Sequence, residues 1–180
     1  YPSMSNVDRV QNPILKSRIM SAQAAAELIP AGANVGMSGF TGPGYPKEVH
    51  RALAQRIERM HAGGEELRIG LWTGASTAAE LDGELAKVDG ISMRLPYQSD
   101  PTCRKQINAG QMQYVDIHLS HAAQFVWFGF LGKLDVAVVE VAEFVGEHGF
   151  DLFRGQPRQQ RVEEDHALAA AEAGEVGVGV

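Results

Sequence analysis

Ser38-Gly39-Phe40-Thr41-Gly42-Pro43-Gly44-Tyr45-Pro46-Lys47 lies between a short apolar run, Asn34 to Met37, and a helical pattern, Glu48 to His61. A glycine-rich turn that joins a strand to a helix leaves backbone N–H groups free to face a ligand. It also lets that ligand approach the main chain closely. Such a loop belongs at the carboxyl edge of an α/β sheet. Neither the phosphate-loop spacing GxxxxGK[ST] nor the dinucleotide spacing GxGxxG is present. A lone glycine here would mark only a turn with positive φ. Three glycines with Thr41 and Tyr45-Pro46 point instead to a binding loop.

The pattern repeats on either side. Ser21 caps a helix over Ala22 to Ile29, closed by Pro30 and Gly32. Val49, Leu53, Ile57 and Met60 recur at helical spacing, with charged residues opposite, and Gly63-Gly64 stops that helix. Leu67 to Trp72 reads as a second strand, and it too enters a small-residue turn, Thr73-Gly74-Ala75-Ser76-Thr77. A helix from Ala78 to Lys87 and a strand from Ile91 to Leu95 follow. Pro101 to Ala109 reads as a helix, Tyr114 to Leu119 as a short strand, and Ser120 as the cap of a helix over His121 to Phe128. Leu134 to Val141 is the most strand-like run, of the kind found in the centre of a parallel sheet. Alternating strands and helices predict an α/β fold: an open, mostly parallel sheet flanked by helices, with right-handed crossovers. Ligands of such sheets bind beyond the carboxyl ends of the strands, where both small-residue turns fall.

The chain has 180 residues, 44% of them hydrophobic and 21% charged, which suits a soluble globular domain. A net charge of −6 argues against a nucleic-acid surface. No run of about eighteen apolar residues predicts a membrane span, and Tyr1 to Arg18 lacks the apolar core of a signal peptide. The single cysteine, Cys103, excludes an internal disulfide framework and suits a reducing compartment. The expected location is the cytoplasm, or the mitochondrion in a eukaryote.

The two turns carry a family likeness. Ser38 to Lys47 resembles the SGFTGxGYPK segment of the acetyl-CoA hydrolase/transferase family, which includes the succinyl-CoA:acetate CoA-transferases. The likeness continues through Thr73 to Thr77, Leu81-Asp82-Gly83, Arg94 to Pro101, Arg104 to Gly110, Asp116 to His121 and the strand Asp135 to Glu140. It covers residues 14–148 in the same order and with similar spacing. The resemblance implies a class I CoA-transferase built from two similar α/β halves. A glutamate carboxylate of such an enzyme attacks an acyl-CoA thioester and passes through a mixed anhydride to a glutamyl-CoA thioester. A small carboxylate such as acetate then accepts the CoA. The chemistry is nucleophilic catalysis with oxyanion stabilisation. Acyl-CoA and carboxylate are the implied substrates, with no permanently bound cofactor, no metal and a homodimer in the full-length enzyme. Gly39, Phe40, Thr41, Gly42 and Gly44 are the implied substrate-binding residues, with Thr73, Gly74, Ala75 and Ser76 lining the same pocket.

The nucleophilic glutamate of the family lies in a carboxyl-terminal half with no counterpart in this chain. No catalytic residue is therefore assigned, and the chain alone is expected not to turn over. Glu140 matches no nucleophile and reads as a strand-end carboxylate. Three segments are expected: a flexible extension over 1–13, the α/β domain over 14–149, and an atypical tail over 150–180. The tail is either a natural acidic extension, exposed and poorly packed, or the product of a shifted reading frame. Arg158-Gln159-Gln160-Arg161 is encodable as CGG CAA CAA CGN, which one base later reads Gly-Asn-Asn, the tripeptide the family has nearby. His118 and His121, with Asp116 nearby, lack the further ligands of a metal site and read as structural or interfacial. Cys103 has no activating partner in sequence and reads as inert. Arg94 and Arg104 read either as anchors for a carboxylate or CoA phosphate or as surface arginines. The alternative function is a non-catalytic fragment that binds carboxylate or acyl-CoA, or that needs a partner half. A sugar-phosphate isomerase of related architecture fits the Gly-Phe-Thr-Gly pattern poorly.

Overall fold

A computed structural model of the chain describes residues 18–39, 44–75 and 79–140. Helix α1 (Ala22–Glu27) starts at Ser21, whose hydroxyl accepts from the Ala24 N–H. Strand β1 (Asn34–Met37) follows, then helix α2 (Val49–Ala62) and strand β2 (Ile69–Thr73). A π-helical turn, Ala79–Gly83, runs into the one-turn helix α3 (Glu84–Lys87). Strand β3 (Ile91–Leu95) leads to helix α4 (Pro101–Asn108), which has Pro at its first turn and Asp100 as cap, accepting from the Thr102 and Cys103 amides. Strand β4 (Gln113–Tyr114), helix α5 (Leu119–Trp127) and strand β5 (Val136–Val138) complete the described elements.

The five strands form one sheet in the order β4-β3-β2-β1-β5, with every pairing parallel. This is the α/β architecture that the alternation of elements predicts. Val35, Met37, Ile69, Leu71, Ile91, Val136 and Val138 point into one core with Leu53, Ile57 and Leu85 from the helices. Alternate strand residues, among them Gly36, Trp72 and Ala137, face the other way. From β1 to β4 the chain steps outward in one direction, so right-handed crossovers stack α2, α3 and α4 on a single face. It then returns across the sheet to place β5 beside β1.

Three expectations change. Leu134 to Val141 reads as a central strand, yet among the described residues of that run only Val136–Val138 is extended, and it pairs with β1 alone. Its β-branched run reflects alternation across one buried face: Val136 and Val138 are buried, while Ala137 is exposed. The strand expected over Tyr114 to Leu119 is confined to Gln113–Tyr114. Helix α5 begins at Leu119, with His118 in the extended cap conformation, so Ser120 sits inside the first turn rather than capping it. Residues 1–13 lie outside the described residues, as does the tail expected over 150–180.

Candidate active site at the carboxyl edge

The carboxyl ends of β1 and β5 lie where the sheet changes its direction of travel, the place where open α/β sheets bind ligands. Ser38 joins the two ends. Its amide donates to the Val138 carbonyl at 2.9 Å, its hydroxyl donates to the Gly44 carbonyl at 2.7 Å, and the Glu140 amide donates to that hydroxyl at 2.9 Å. Lys47 adds a second tie: its ammonium donates to the Tyr45 carbonyl at 2.8 Å and pairs with the Glu140 carboxylate at 3.3 Å. The same ammonium lies 3.6 Å from the centre of the Tyr45 ring, a cation–π contact. Entry and exit of the glycine-rich loop are thereby fixed to the end of β5. Gly39 and Gly44 adopt φ of 128° and 71°, conformations that side-chain-bearing residues rarely take. Of the residues expected to bind substrate, Phe40, Thr41, Gly42 and Ser76 lie outside the described residues.

The second turn meets the first. A Cβ added to Gly74 would stand 3.0 Å from the Gly39 carbonyl oxygen, so main chain approaches main chain here. Gly74 is exposed, while Thr73 and Ala75 face inward at 8% and 6% exposure. The Thr73 hydroxyl is committed beneath the turn: it donates to the Ala75 carbonyl and accepts from Arg94 Nη2 at 2.7 Å. Arg94 is fully buried. Its guanidinium also reaches the Leu95 carbonyl, the Ala75 carbonyl at 3.3 Å and the Asp82 carboxylate at 3.3 Å. Arg94 is therefore neither a solvated arginine nor an open anion anchor. It holds the second turn from below, and Asp82, supplied by the π-helical turn, compensates its charge. Arg104, by contrast, is exposed and donates to the Ser99 carbonyl at 3.2 Å.

His50, in the first turn of α2, is fully buried behind the loop. Its ring meets Tyr45 edge-on at 6.1 Å, and the backbone of Pro46 and Glu80 approaches its nitrogens without a well-formed hydrogen bond. Burial, with the Arg51 and Lys47 charges, lowers its pKa to about 4, so the ring is neutral near pH 7 although the Glu84 carboxylate lies 3.8 Å away. Cys103 is buried against the Asp82 carbonyl at 3.6 Å, and burial beside Asp82 and Asp100 raises its thiol to about 12, which makes it unreactive. The His118 and His121 rings are 5.5 Å apart, and His118 Nδ1 bonds Ser120 Oγ at 2.9 Å. No cluster among the described residues has the donors to hold a metal ion. No helix among them is long and apolar enough to cross a membrane. Spacing does not forecast the Ser38–Glu140 and Lys47–Glu140 ties, because their partners lie 102 and 93 residues apart. The only sequence signal was a carboxylate at the end of the strand that follows Asp135.

Comparison with known proteins fits this layout. The acetyl-CoA hydrolase/transferase N-terminal domain matches residues 4–154. The chain belongs to that family. The succinyl-CoA:acetate CoA-transferase of Clostridium kluyveri is 41% identical over 139 residues, which cover 77% of this chain and 25% of the relative. The propanoyl-CoA:succinate CoA transferase of Escherichia coli is 44% identical over 123 residues, covering 68% of this chain and 25% of the relative. The acetyl-CoA hydrolase of Neurospora crassa is 36% identical, covering 75% and 27%. The family thus joins transferases and hydrolases, and the chain spans about a quarter of the length of the curated relatives it matches. Among solved structures, RipA from Yersinia pestis covers 67% of this chain and 28% of its own at 18% identity, with a TM-score of 0.45. That likeness adds nothing to the family assignment.

Proposed function

We propose that this chain is the amino-terminal part of an acyl-CoA:carboxylate CoA-transferase, moving CoA between an acyl-CoA such as succinyl-CoA or acetyl-CoA and a small carboxylate such as acetate. The nucleophilic glutamate comes from a portion beyond the quarter matched here, and the family-length enzyme works as a homodimer. The observation that carries the reading is the close approach of Gly39 and Gly74 at the carboxyl edge of β1 and β2, within a domain that matches this family. In this reading the amides of the two neighbouring turns serve as N–H donors to an oxyanion or an acceptor carboxylate. The substrate-binding assignment covers Gly39, Phe40, Thr41, Gly42 and Gly44 on the first loop and Thr73, Gly74, Ala75 and Ser76 on the second. Thr73 and Ala75 serve through the backbone, since the Thr73 hydroxyl is already engaged.

The test places residues 14–140 in the Clostridium kluyveri transferase, in place of the matching quarter. The expected result is transfer of CoA from succinyl-CoA to labelled acetate. Gly74→Val should lower kcat/KM about tenfold or more by crowding the Gly39 carbonyl, equivalent to roughly 1.4 kcal/mol. CoA release at the same rate without acetate would favour hydrolysis. A chimera that melts cooperatively yet neither transfers nor hydrolyses leaves the non-catalytic binding fragment as the better reading.

A further inference from the structure

His50 is a fully buried titratable side chain that the proposed chemistry does not use. It stands in the first turn of α2 with no well-formed hydrogen bond to either ring nitrogen. A buried polar group in that state costs stability, and its presence calls for a reason. Its surroundings come from the elements that follow both loops. On the side of the glycine-rich loop, the Tyr45 ring meets it edge-on, and the Lys47 ammonium lies over the Tyr45 ring. Beyond the second loop, Glu80 of the π-helical turn brings its backbone to the ring, and Glu84 of α3 places a carboxylate oxygen 3.8 Å from Nε2. Arg51, the next residue of α2, reaches that same oxygen at 3.9 Å and Glu48 at 3.4 Å. Glu140, at the end of β5, pairs with Lys47. Helix α1 meets α2 farther along, where Glu27 is taken by Arg56 and Arg59. The ring thus has two cations for neighbours, with one carboxylate just beyond hydrogen-bond reach.

We propose that His50 is a proton-operated latch on the exit of the glycine-rich loop. While the ring is neutral it tolerates Lys47 and Arg51, and the loop exit stays tied to Glu140. A proton taken from solvent onto a ring nitrogen puts a positive charge in this buried place, and such a charge needs a partner. The partner in waiting is Glu84. Reaching it means closing 3.8 Å to a charge-assisted hydrogen bond of about 2.8 Å and drawing the carboxylate from Arg51. The same charge repels Lys47, whose ammonium is the second tie of the loop to β5. Both movements loosen the loop exit. Burial and the two cations keep the ring neutral until the pH approaches 4. The consequence for exchange rests on the proposed reaction: the latch opens in the acid range where a small carboxylate acceptor itself takes up a proton and ceases to be a nucleophile.

An NMR titration of the nitrogen-15-labelled 180-residue chain tests the latch with no acyl-CoA present. The six histidine rings are followed together, and the His50 signal is the one absent from His50→Gln. The expected result is a His50 ring that titrates well below its usual 6.5. The Gly44, Lys47 and Glu140 amides should shift at the same midpoint, while the core amides of Leu53 and Leu71 hold still. Those loop shifts should vanish in His50→Gln, and in His50→Phe where the glutamine variant does not fold. Glu84→Gln removes the waiting partner and should move the midpoint to still lower pH. Protonation of Glu140 itself would persist in either His50 variant, so loop shifts that survive the substitution overturn the proposal. A ring that titrates near 6.5, a loop that stays still while the ring titrates, or core amides that move with the loop also overturn it. A chimera that exchanges no CoA at any pH sinks the proposed reaction and leaves this titration to stand or fall alone.

Discussion

His50 and Arg94 are polar residues for which burial costs most, and each makes a distinct prediction. The His50 ring titrates near its usual 6.5 in the unfolded chain and at about 4 in the folded one. Between those values the unfolded state binds more protons, so stability is fully present above pH 6.5 and is lost as pH falls toward 4. The loss is on the order of 3 kcal/mol. Urea unfolding followed from pH 7 to 4 should lose that much more in the parent than in His50→Leu, and parallel curves would refute it. For Arg94 the expected signature is coupling. Arg94→Met or Asp82→Asn alone leaves a buried group uncompensated and should cost about 3–5 kcal/mol. The double variant should cost clearly less than the sum of the two, measured as a double-mutant cycle. Additive losses would mean that the pair is incidental to the fold. Neither residue could be placed from sequence. An arginine in a family-like segment reads equally well as an anion anchor, and a histidine one position after Val49 breaks no helical pattern.

Among the elements, the strand-turn-helix units were legible and their ends were not. Runs such as Asn34 to Met37 and Ile91 to Leu95 announce themselves because both neighbours in the sheet are supplied by the same alternating pattern. The start of α5 was misplaced by two residues because Ser120 is a good cap chemically, while the backbone turns helical at Leu119. The candidate site was legible as two loops at one edge, since glycine runs after strands have a mechanistic reading. The ties that close the first loop were invisible, because they join positions about a hundred residues apart. Ser38→Ala tests them. Losing the hydroxyl removes the partner of the part-buried Glu140 amide, while the exposed Gly44 carbonyl can turn to water, at a cost of about 1 kcal/mol. Hydrogen exchange at the Glu140 amide should quicken in Ser38→Ala and stay slow in Ser38→Thr. Unchanged exchange would show that the serine only fills space.

At the scale of the molecule, the helices α2 and α3 gather on one face of the sheet. The packed face holds Leu53 and Ile57 of α2 against β1 and β2, and it should keep the chain folded alone. In the order β4-β3-β2-β1-β5 the last described strand lies across the sheet from β4, beside β1. The register Val35↔Val136 closes a loop of about a hundred residues, a contact that forms slowly. Until Leu134 to Val138 has left the ribosome, β1 presents a bare row of amides and carbonyls on one side. The glycine loop likewise waits for Glu140 before its exit is tied down. A chain ending at Lys133 should therefore form its helices yet aggregate above micromolar concentration, measurable by light scattering beside circular dichroism. The carboxyl edge around Ser38 therefore closes only once Glu140 has been made, and until then a nascent chain carries that edge as an open seam.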